Sequence, residues 1–369
     1  MTVPSQTVAT EPGPAPDGGA GAPRGIRLLR RAAARMRAAR YSGLLLCAAL
    51  AVFFTLQSPE TFPTRATFTG IAGDQSVTLI LALGLLVTLA VGQFDLSAAQ
   101  NLGMSAMVCG VLMVHHQVSP AVAVLVTLLI GLLVGLVNAV FVAVVGIDSL
   151  IATLGMSSVL LAVTGQVSDY QFVGPVPAGF QDVANHEVLG VPSVALYAVV
   201  LSVAAWYVLE HTPVGRRAFA VGANPDASRL AGVRTARYVA GSFVVTSLFA
   251  ATAGVLVTAK IGNVAPTLGP AYLLPSFAAC FLGTTQLKPG RFNVGGTVIA
   301  LLLLAVGVKG LQLNGSQLWV TDLFNGVALL AAVSAALLSG RIRPKLGQRQ
   351  RQRQRQRRRA ARAGRATAR

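Results

Sequence analysis

The side chains of this sequence that are equipped for chemistry fall into two groups. The first is a set of neutral hydrogen-bonding residues that interrupt long apolar runs. Gln100 and Asn101 lie in "LSAAQNLGM" (96–104), Asn138 in "GLVNAV" (135–140) and Thr153 in "IATLG" (151–155), with Asp95 just ahead of the first pair. Ser157, Ser158 and Thr164 belong to the same polar minority. Such groups offer hydrogen bonding with little fixed charge, and within apolar segments they face either a cavity or another helix. Gln100 and Asn101, as bulky amides, are the hardest of them to satisfy. The second group is the polar stretch "VGANPDASRLAGVRTAR" (221–237), whose residues are spaced as helix punctuation. Bond-breaking machinery is missing. The chain has no G-x-x-x-x-G-K-[ST] phosphate loop, no H-E-x-x-H zinc pair and no G-x-S-x-G nucleophile turn. Cys47, Cys109 and Cys280 sit inside apolar runs, while His115, His116, His186 and His211 fall at their edges or between them. Neither set forms a disulfide framework or a metal-ligand pattern. The chain reads as a non-enzyme that binds no metal or cofactor of its own.

The elements that must position these groups are set by where charge is absent. Of 369 residues, 54% are hydrophobic and 11% charged, against about 25% charged in an ordinary soluble domain. No Asp, Glu, Lys or Arg occurs between Arg40 and Glu60, Asp74 and Asp95, Asp148 and Asp169, or Glu187 and Glu210. The same holds from Arg237 to Lys260, Lys260 to Lys288, Arg291 to Lys309, and Asp322 to Arg341. A bilayer crossing needs roughly 20 mostly apolar residues, so each interval holds one span. The longer gap from Asp95 to Asp148 holds two, broken near His115, His116, Gln117 and Pro120. The ten expected spans are 41–57, 75–92, 97–114, 121–145, 149–167, 193–209, 238–259, 271–287, 292–308 and 318–338. Lipid supplies no partner for backbone N–H and C=O groups, so the spans are helices. The fold class is an all-α polytopic membrane bundle of about ten transmembrane helices. Small residues such as those of "GLLVGLVNAV" (131–140) let its helices approach closely.

The net charge of +18 is distributed as a topology signal and not as a nucleic-acid surface. Seven arginines lie in 24–40, five in 216–237, and thirteen basic residues from Arg341 onward, with Lys288 and Arg291 besides. With ten spans and both termini on one side, twenty-seven of the thirty basic residues share that side, and only Arg65, Lys260 and Lys309 face the other. An excess of Lys and Arg in short loops marks the cytoplasm, so both termini are expected there. Residues 1–40 read as a disordered basic leader without a secretory signal, 41–339 as the membrane domain, and 340–369 as a disordered basic tail. The Gln/Arg repeat of that tail lacks interleaved aromatics and suits anionic lipid headgroups. The longest outward loop, 168–192, carries Asp169, Asp182 and Glu187 and has room for a small helix. Lys309, closing the ninth span, is expected to snorkel outward.

Within the cytoplasmic loop 210–237, a short helix is spelled out residue by residue. Asn224 is an N-cap, Pro225 takes the first helical position, where its missing donor is no loss, and Asp226 complements the helix dipole. Ala227, Leu230 and Ala231 follow at i, i+3 and i+4 as an apolar face, and Gly232 supplies the stop. Two turns of helix are marginal alone in water. The membrane surface or a partner protein must hold them.

Four segments then resemble one family. "GRRAFAVGANPDASRLAGV" (215–233) is similar to the cytoplasmic coupling loop of permease subunits of bacterial ATP-binding-cassette importers for simple sugars, the ribose/xylose-type group. "VGQFDLSAAQNLGMSAM" (91–107) is similar to that family's Gly-Gly-Ile-Asp-Leu-Ser segment, and "SLIATLGMSSVLLAV" (149–163) to its Ile-Ala-Thr-Leu-Gly stretch. "APTLGPAYLLPSFAACFLGTTQLKPGRFNVGGTVIA" (265–300) resembles its C-terminal signature. The resemblance covers roughly 70–340. It implies a type II importer-like permease in the bacterial cytoplasmic membrane, working as a pair, most simply two copies of this chain. Its implied partners are two cytoplasmic ATPase subunits, which hydrolyse the ATP, and an extracytoplasmic sugar-binding protein. The ATPase would be met by Gly215, Arg216, Asn224, Pro225, Asp226, Ala227, Arg229, Leu230 and Gly232. An uncharged, hydroxyl-rich cargo would meet Asp95, Gln100, Asn101, Asn138 and Thr153. Two positions depart from the family: an acidic pair commonly follows its tyrosine, where this chain reads Tyr272-Leu273-Leu274-Pro275-Ser276, and Asn-Gly is replaced by Lys309-Gly310. Two alternatives stay open. One is a branched-chain amino-acid permease on the same plan. The other is an ion-gradient transporter, which would carry broken helices in matching halves or a mid-span acid.

Overall fold

The computed structural model describes residues 41–334 apart from positions 189 and 318. The expected leader 1–40, the tail 340–369 and the last residues of the tenth expected span lie outside the described residues. The fold is helical throughout its core, with one two-residue hairpin.

In chain order the helices begin with α1 (Ser42–Gln57), α2 (Arg65–Ala90), α3 (Ala98–Val114) and α4 (Pro120–Ala139), which continues as a π-helical turn, Val140–Val145. Then come α5 (Ser149–Ser168), the small outer helix α6 (Ala178–Asn185), strands β1 (Glu187–Val188) and β2 (Val191–Pro192), and α7 (Ser193–His211). Two short helices follow, α8 (Pro213–Ala223) and α9 (Pro225–Leu230), before α10 (Thr235–Ile261). A 3-10 turn at Gly269–Tyr272 leads into α11 (Leu273–Gly283), and α12 (Val294–Leu313) and α13 (Trp319–Ser334) close the described chain. Six of these segments are long and apolar enough to cross a membrane, and four more (α1, α3, Gly269–Gly283 and α13) are shorter apolar helices. Each coincides with one of the ten expected spans.

The helices start and stop on recognisable residues. Thr64 caps α2 by accepting from Thr67 N, and Asp148 caps α5 by accepting from Leu150 N at 2.9 Å. Pro120 and Pro213 each sit in the first turn of their helix. The expected boundaries differ from the observed ones where charge was taken as an end. Helix α2 begins ten residues earlier than expected and carries Asp74 inside it, and at about 1.5 Å per residue its 26 residues reach about 39 Å. The eighth span stops at Gly283 and does not reach Leu287, because the backbone breaks into turns from Thr284.

Helix α10 is the hub, packed by α2, α3, α4 and α6. Its buried face includes Phe243, Ala250, Ala253 and Val257. Close approach is obligatory against α4, where a Cβ at Gly135 would stand 2.8 Å from Ser247 Cβ and 2.9 Å from Val244 Cα. Outward faces of α1, α4, α5 and α7 expose large apolar side chains such as Leu45, Leu129, Ile151 and Val200. Such surfaces belong in lipid or against another membrane subunit.

Candidate functional site

A cavity of about 280 Å³ with a mixed polar and apolar lining opens among α2, the 3-10 turn, α11, α12 and α13. That volume lies near the lower edge of small-ligand sites, roughly 300–1,000 Å³. Gln75 and Thr78 line it from α2, Tyr272 from the 3-10 turn, Lys309 and Gln312 from α12, and Asp322 and Asn325 from α13. Asp74 of α2 lines it too and is ion-paired to Lys260 at the end of α10. Lys309 is half-buried and makes no ion pair among the described residues. It lines the cavity. The cavity thus offers neutral amides and hydroxyls together with one ammonium, Lys309, and two carboxylates, Asp322 and the ion-paired Asp74.

The residues expected along a translocation path, Asp95, Gln100, Asn101, Asn138 and Thr153, are all buried, and none lines this cavity. They knit helices together. Ser97 donates from its backbone N (3.0 Å) and its Oγ (2.6 Å) to Asp95 Oδ1, and Asn138 Nδ2 donates to Ser97 Oγ at 2.8 Å. Leu96 N donates to Thr153 Oγ1 at 3.0 Å, Phe94 N to Ser149 Oγ at 3.2 Å, and Asn101 Nδ2 to Ser247 O at 3.2 Å. Segment 91–97 is thereby fastened to α4 and α5, and α3 to α10. Burial pushes the Asp95 carboxyl up to about 6, with the Ser97 and Ala98 hydrogen bonds pulling against it. Asp95 Oδ2, Asn138 Oδ1 and Gln100 Nε2 are buried without a hydrogen-bond partner.

At the opposite end of α2 lies the polar segment. The sequence spelled out one short helix there, and the structure has two. Helix α8 is capped by Thr212, and Gly215 presses on the Leu209 carbonyl so closely that no Cβ fits. Asn224 then accepts from Ala227 N at 2.9 Å and starts α9. Gly232, at φ +81°, ends it, with Val233 N bonded back to Ser228 O at 3.0 Å. The apolar face of Ala227, Leu230 and Ala231 is exposed, open to whatever holds the helix from outside, and Ser228 is the buried residue of α9. Leu230 is 92% exposed. Arg216, Pro225, Asp226 and Arg229 are exposed beside it.

Helix α8 is seated on the bundle at two places. Gly222 abuts the backbone of Ala90, Val91 and Gly92, leaving no room for a Cβ. The Arg291 guanidinium lies 3.8 Å over the Phe219 ring, and Lys288 pairs with Glu210 at the end of α7. Thr78 and Ala90 are twelve residues apart on one continuous helix, so the cavity and the α8 seat are separated by about 18 Å of helix.

The family described as "Branched-chain amino acid transport system / permease component" matches residues 67–333. Among individual relatives, the "Autoinducer 2 import system permease protein LsrD" of Escherichia coli (strain K12) is 30% identical over 279 residues, covering 73% of this chain and 84% of that protein. The same figures hold for the protein of that name in Shigella flexneri. The "Ribose import permease protein RbsC" of Escherichia coli (strain K12) is 32% identical over 291 residues, covering 77% of this chain and 89% of the relative. No solved structure matches.

Proposed function

This chain belongs to the branched-chain amino acid transport system / permease component family, and on that premise we propose that it is the membrane-spanning permease subunit of an ATP-driven importer for a simple sugar. Two of its relatives are named for the import of ribose and of autoinducer 2. The observation that carries the cargo class is the neutral hydrogen-bonding wall of the cavity: Gln75, Thr78, Tyr272, Gln312, Thr321 and Asn325. A sugar is uncharged and presents hydroxyls on all sides, which amides and hydroxyls satisfy as both donors and acceptors.

The power stroke enters at α9. Exposed Leu230, flanked by Arg229 and Asp226, is an apolar knob for a pocket on a separate ATPase subunit, which would hydrolyse the ATP. Movement of α9 passes to α8. From there it reaches the cavity by two arms: through the Gly222 seat into α2, and through Phe219–Arg291 into the loop joining α11 and α12, a loop also tied to the end of α7 by Glu210–Lys288. All three of those helices belong to the cavity wall or lead directly into it. The α8–α9 end faces the cytoplasm of a bacterium, and the cavity end faces an extracytoplasmic binding protein. The apolar outer faces complete a pair of permeases, most simply two copies of this chain.

The test is reconstitution of this chain with the ATPase and binding protein encoded beside it in proteoliposomes, with radiolabelled pentoses as probes. Uptake should require all three components and ATP. Accumulation by this chain alone under a pH or sodium gradient would overturn the reading. A second cargo reading is favoured by Lys309 and Asp322, which place an ammonium and a carboxylate in one cavity, as a zwitterion would want. In that case leucine, and not ribose, would be transported by the same proteoliposomes.

A further inference from the structure

Beside the α8–α9 segment, an apolar groove of about 590 Å³ runs between α7, α8 and the first half of α10. Its walls include Leu201, Ala204 and Val208 of α7 and Val245 and Phe249 of α10. At its mouth it shares Arg237 and Tyr238 with a second, polar pocket of about 350 Å³ that adds Arg217 and Arg234. The three arginines are exposed and have no carboxylate within ion-pair distance among the described residues. Arg217 Nη1 donates to Tyr238 Oη at 3.5 Å, which draws the α8 arginine toward α10. A greasy slot capped by unneutralised guanidinium groups is the shape of an amphiphile with an anionic head.

We propose that this groove binds an anionic phospholipid of the facing leaflet, with an acyl chain between α7 and α10 and the headgroup phosphate among Arg217, Arg234 and Arg237. The dimensions agree. From Arg237 to Phe249 the groove follows α10 for about 18 Å, and one leaflet of hydrocarbon is about 15 Å deep. The arginines therefore stand where headgroups lie when the chain fills the slot. Guanidinium forks match phosphate oxygens in pairs, and basic pockets between membrane helices are the setting in which charged headgroups are recognised. A lipid held there would bridge α8 to α10 and stiffen the seat of the lever. The inference needs only that the chain spans a membrane and is independent of the cargo.

Native mass spectrometry of the full chain, with phosphatidylglycerol and phosphatidylcholine of identical acyl chains, tests it. The expected result is preferential binding of phosphatidylglycerol, falling about five-fold for each arginine removed in Arg217→Gln, Arg234→Gln and Arg237→Gln, and partly restored by the corresponding lysine variants. Gly241→Leu separates tail from head: nothing stands within 4 Å of a Cβ at Gly241, so the side chain enters the groove without a clash and should weaken both lipids alike. Glycerophosphoglycerol, which has the head but no tail, should fail to compete at millimolar concentration. Equal binding of the two lipids, or an unchanged preference in the triple glutamine variant, would overturn the proposal. So would effective competition by the tail-free headgroup. Loss of ATPase association in the arginine variants with lipid preference intact would also overturn it, and would assign the arginines to an acidic protein surface.

Discussion

An apolar side chain 92% exposed at the tip of a capped two-turn helix is costly to leave in water and useful only when covered. Leu230 touches almost nothing in its own chain, so Leu230→Ala should leave the melting temperature within about a degree, as for other surface substitutions away from structural features. Covering a leucine contributes about 1.5–3 kcal/mol, so the same substitution should weaken association with the ATPase by about 10- to 100-fold in a titration of the purified subunits. An unchanged affinity would remove α9 from the interface. Asp95 makes the opposite kind of prediction, about the chain's own stability. Its carboxyl titrates near 6 in the folded protein against about 4 when unfolded. The folded state therefore holds the proton more tightly, and the stability this brings is fully present below pH 4 and lost as pH rises to 6. The span of about two units corresponds to roughly 3 kcal/mol. In detergent, the melting temperature should fall across that window. Asp95→Asn, which keeps an acceptor for Ser97, should flatten the slope and raise the melting temperature at pH 7. A slope that survives the substitution would locate the titration elsewhere.

Helices α8 and α9 work only if they are held stiffly, and the seat is backbone on backbone. Gly222 lies against Ala90–Gly92 with no space for a side chain, and Gly92 needs its φ of +81° to turn the chain out of α2. Gly222→Val should lift α8 off α2 while leaving Leu230 and α9 intact. The expected phenotype is uncoupling: ATP hydrolysis by the assembled complex persists, and cargo uptake drops by an order of magnitude or more. Loss of both activities together would mean that the seat is needed for assembly and not for transmission. Helix α9 was legible in the sequence because capping is local: Asn224, Pro225 and Gly232 act within their own turn. Helix α8 was not, since "PVGRRAFAVGA" has no polar cap of its own beyond Thr212 and its apolar residues pack on Val91 and Tyr238, far away in sequence. The apolar i, i+3, i+4 pattern of Ala227, Leu230 and Ala231 is local too, and the exposed face it marks has to be covered from outside the chain.

At the scale of the whole molecule, the charge-free intervals located all ten apolar helices among the described residues, since lipid punishes unpaired charge wherever it occurs along the chain. The same rule hid the cavity. Asp74, Lys260 and Lys309 lie outside the expected spans yet inside helices, because α2, α10 and α12 run past the expected boundaries, and α2 and α12 meet α13 with its Asp322 around the cavity. The neutral polar residues inside the spans are buried away from the cavity and bonded between or within helices, as Asn101, Asn138 and Thr153 are. Charges also fix which way up the bundle sits. Among described residues, Arg216, Arg217, Arg229, Arg234, Arg237, Lys288 and Arg291 gather at the α8–α9 end. The other end carries Arg65, Lys260 and Lys309 among Asp74, Asp182, Glu187 and Asp322. Asn185 of α6 donates to Lys260 O at 3.2 Å, which fixes Asp182 at that end. The positive-inside bias puts the first end in the cytoplasm. With Cys47, Cys109 and Cys280 replaced by serine or alanine, Arg229→Cys in intact cells should resist a membrane-impermeant maleimide and react only after lysis, whereas Asp182→Cys should react at once. Both side chains are exposed, so accessibility within the fold does not limit either reaction. If Arg229→Cys were labelled from outside, α9 would face away from any cytoplasmic ATPase, and a motor-driven permease could not work through it.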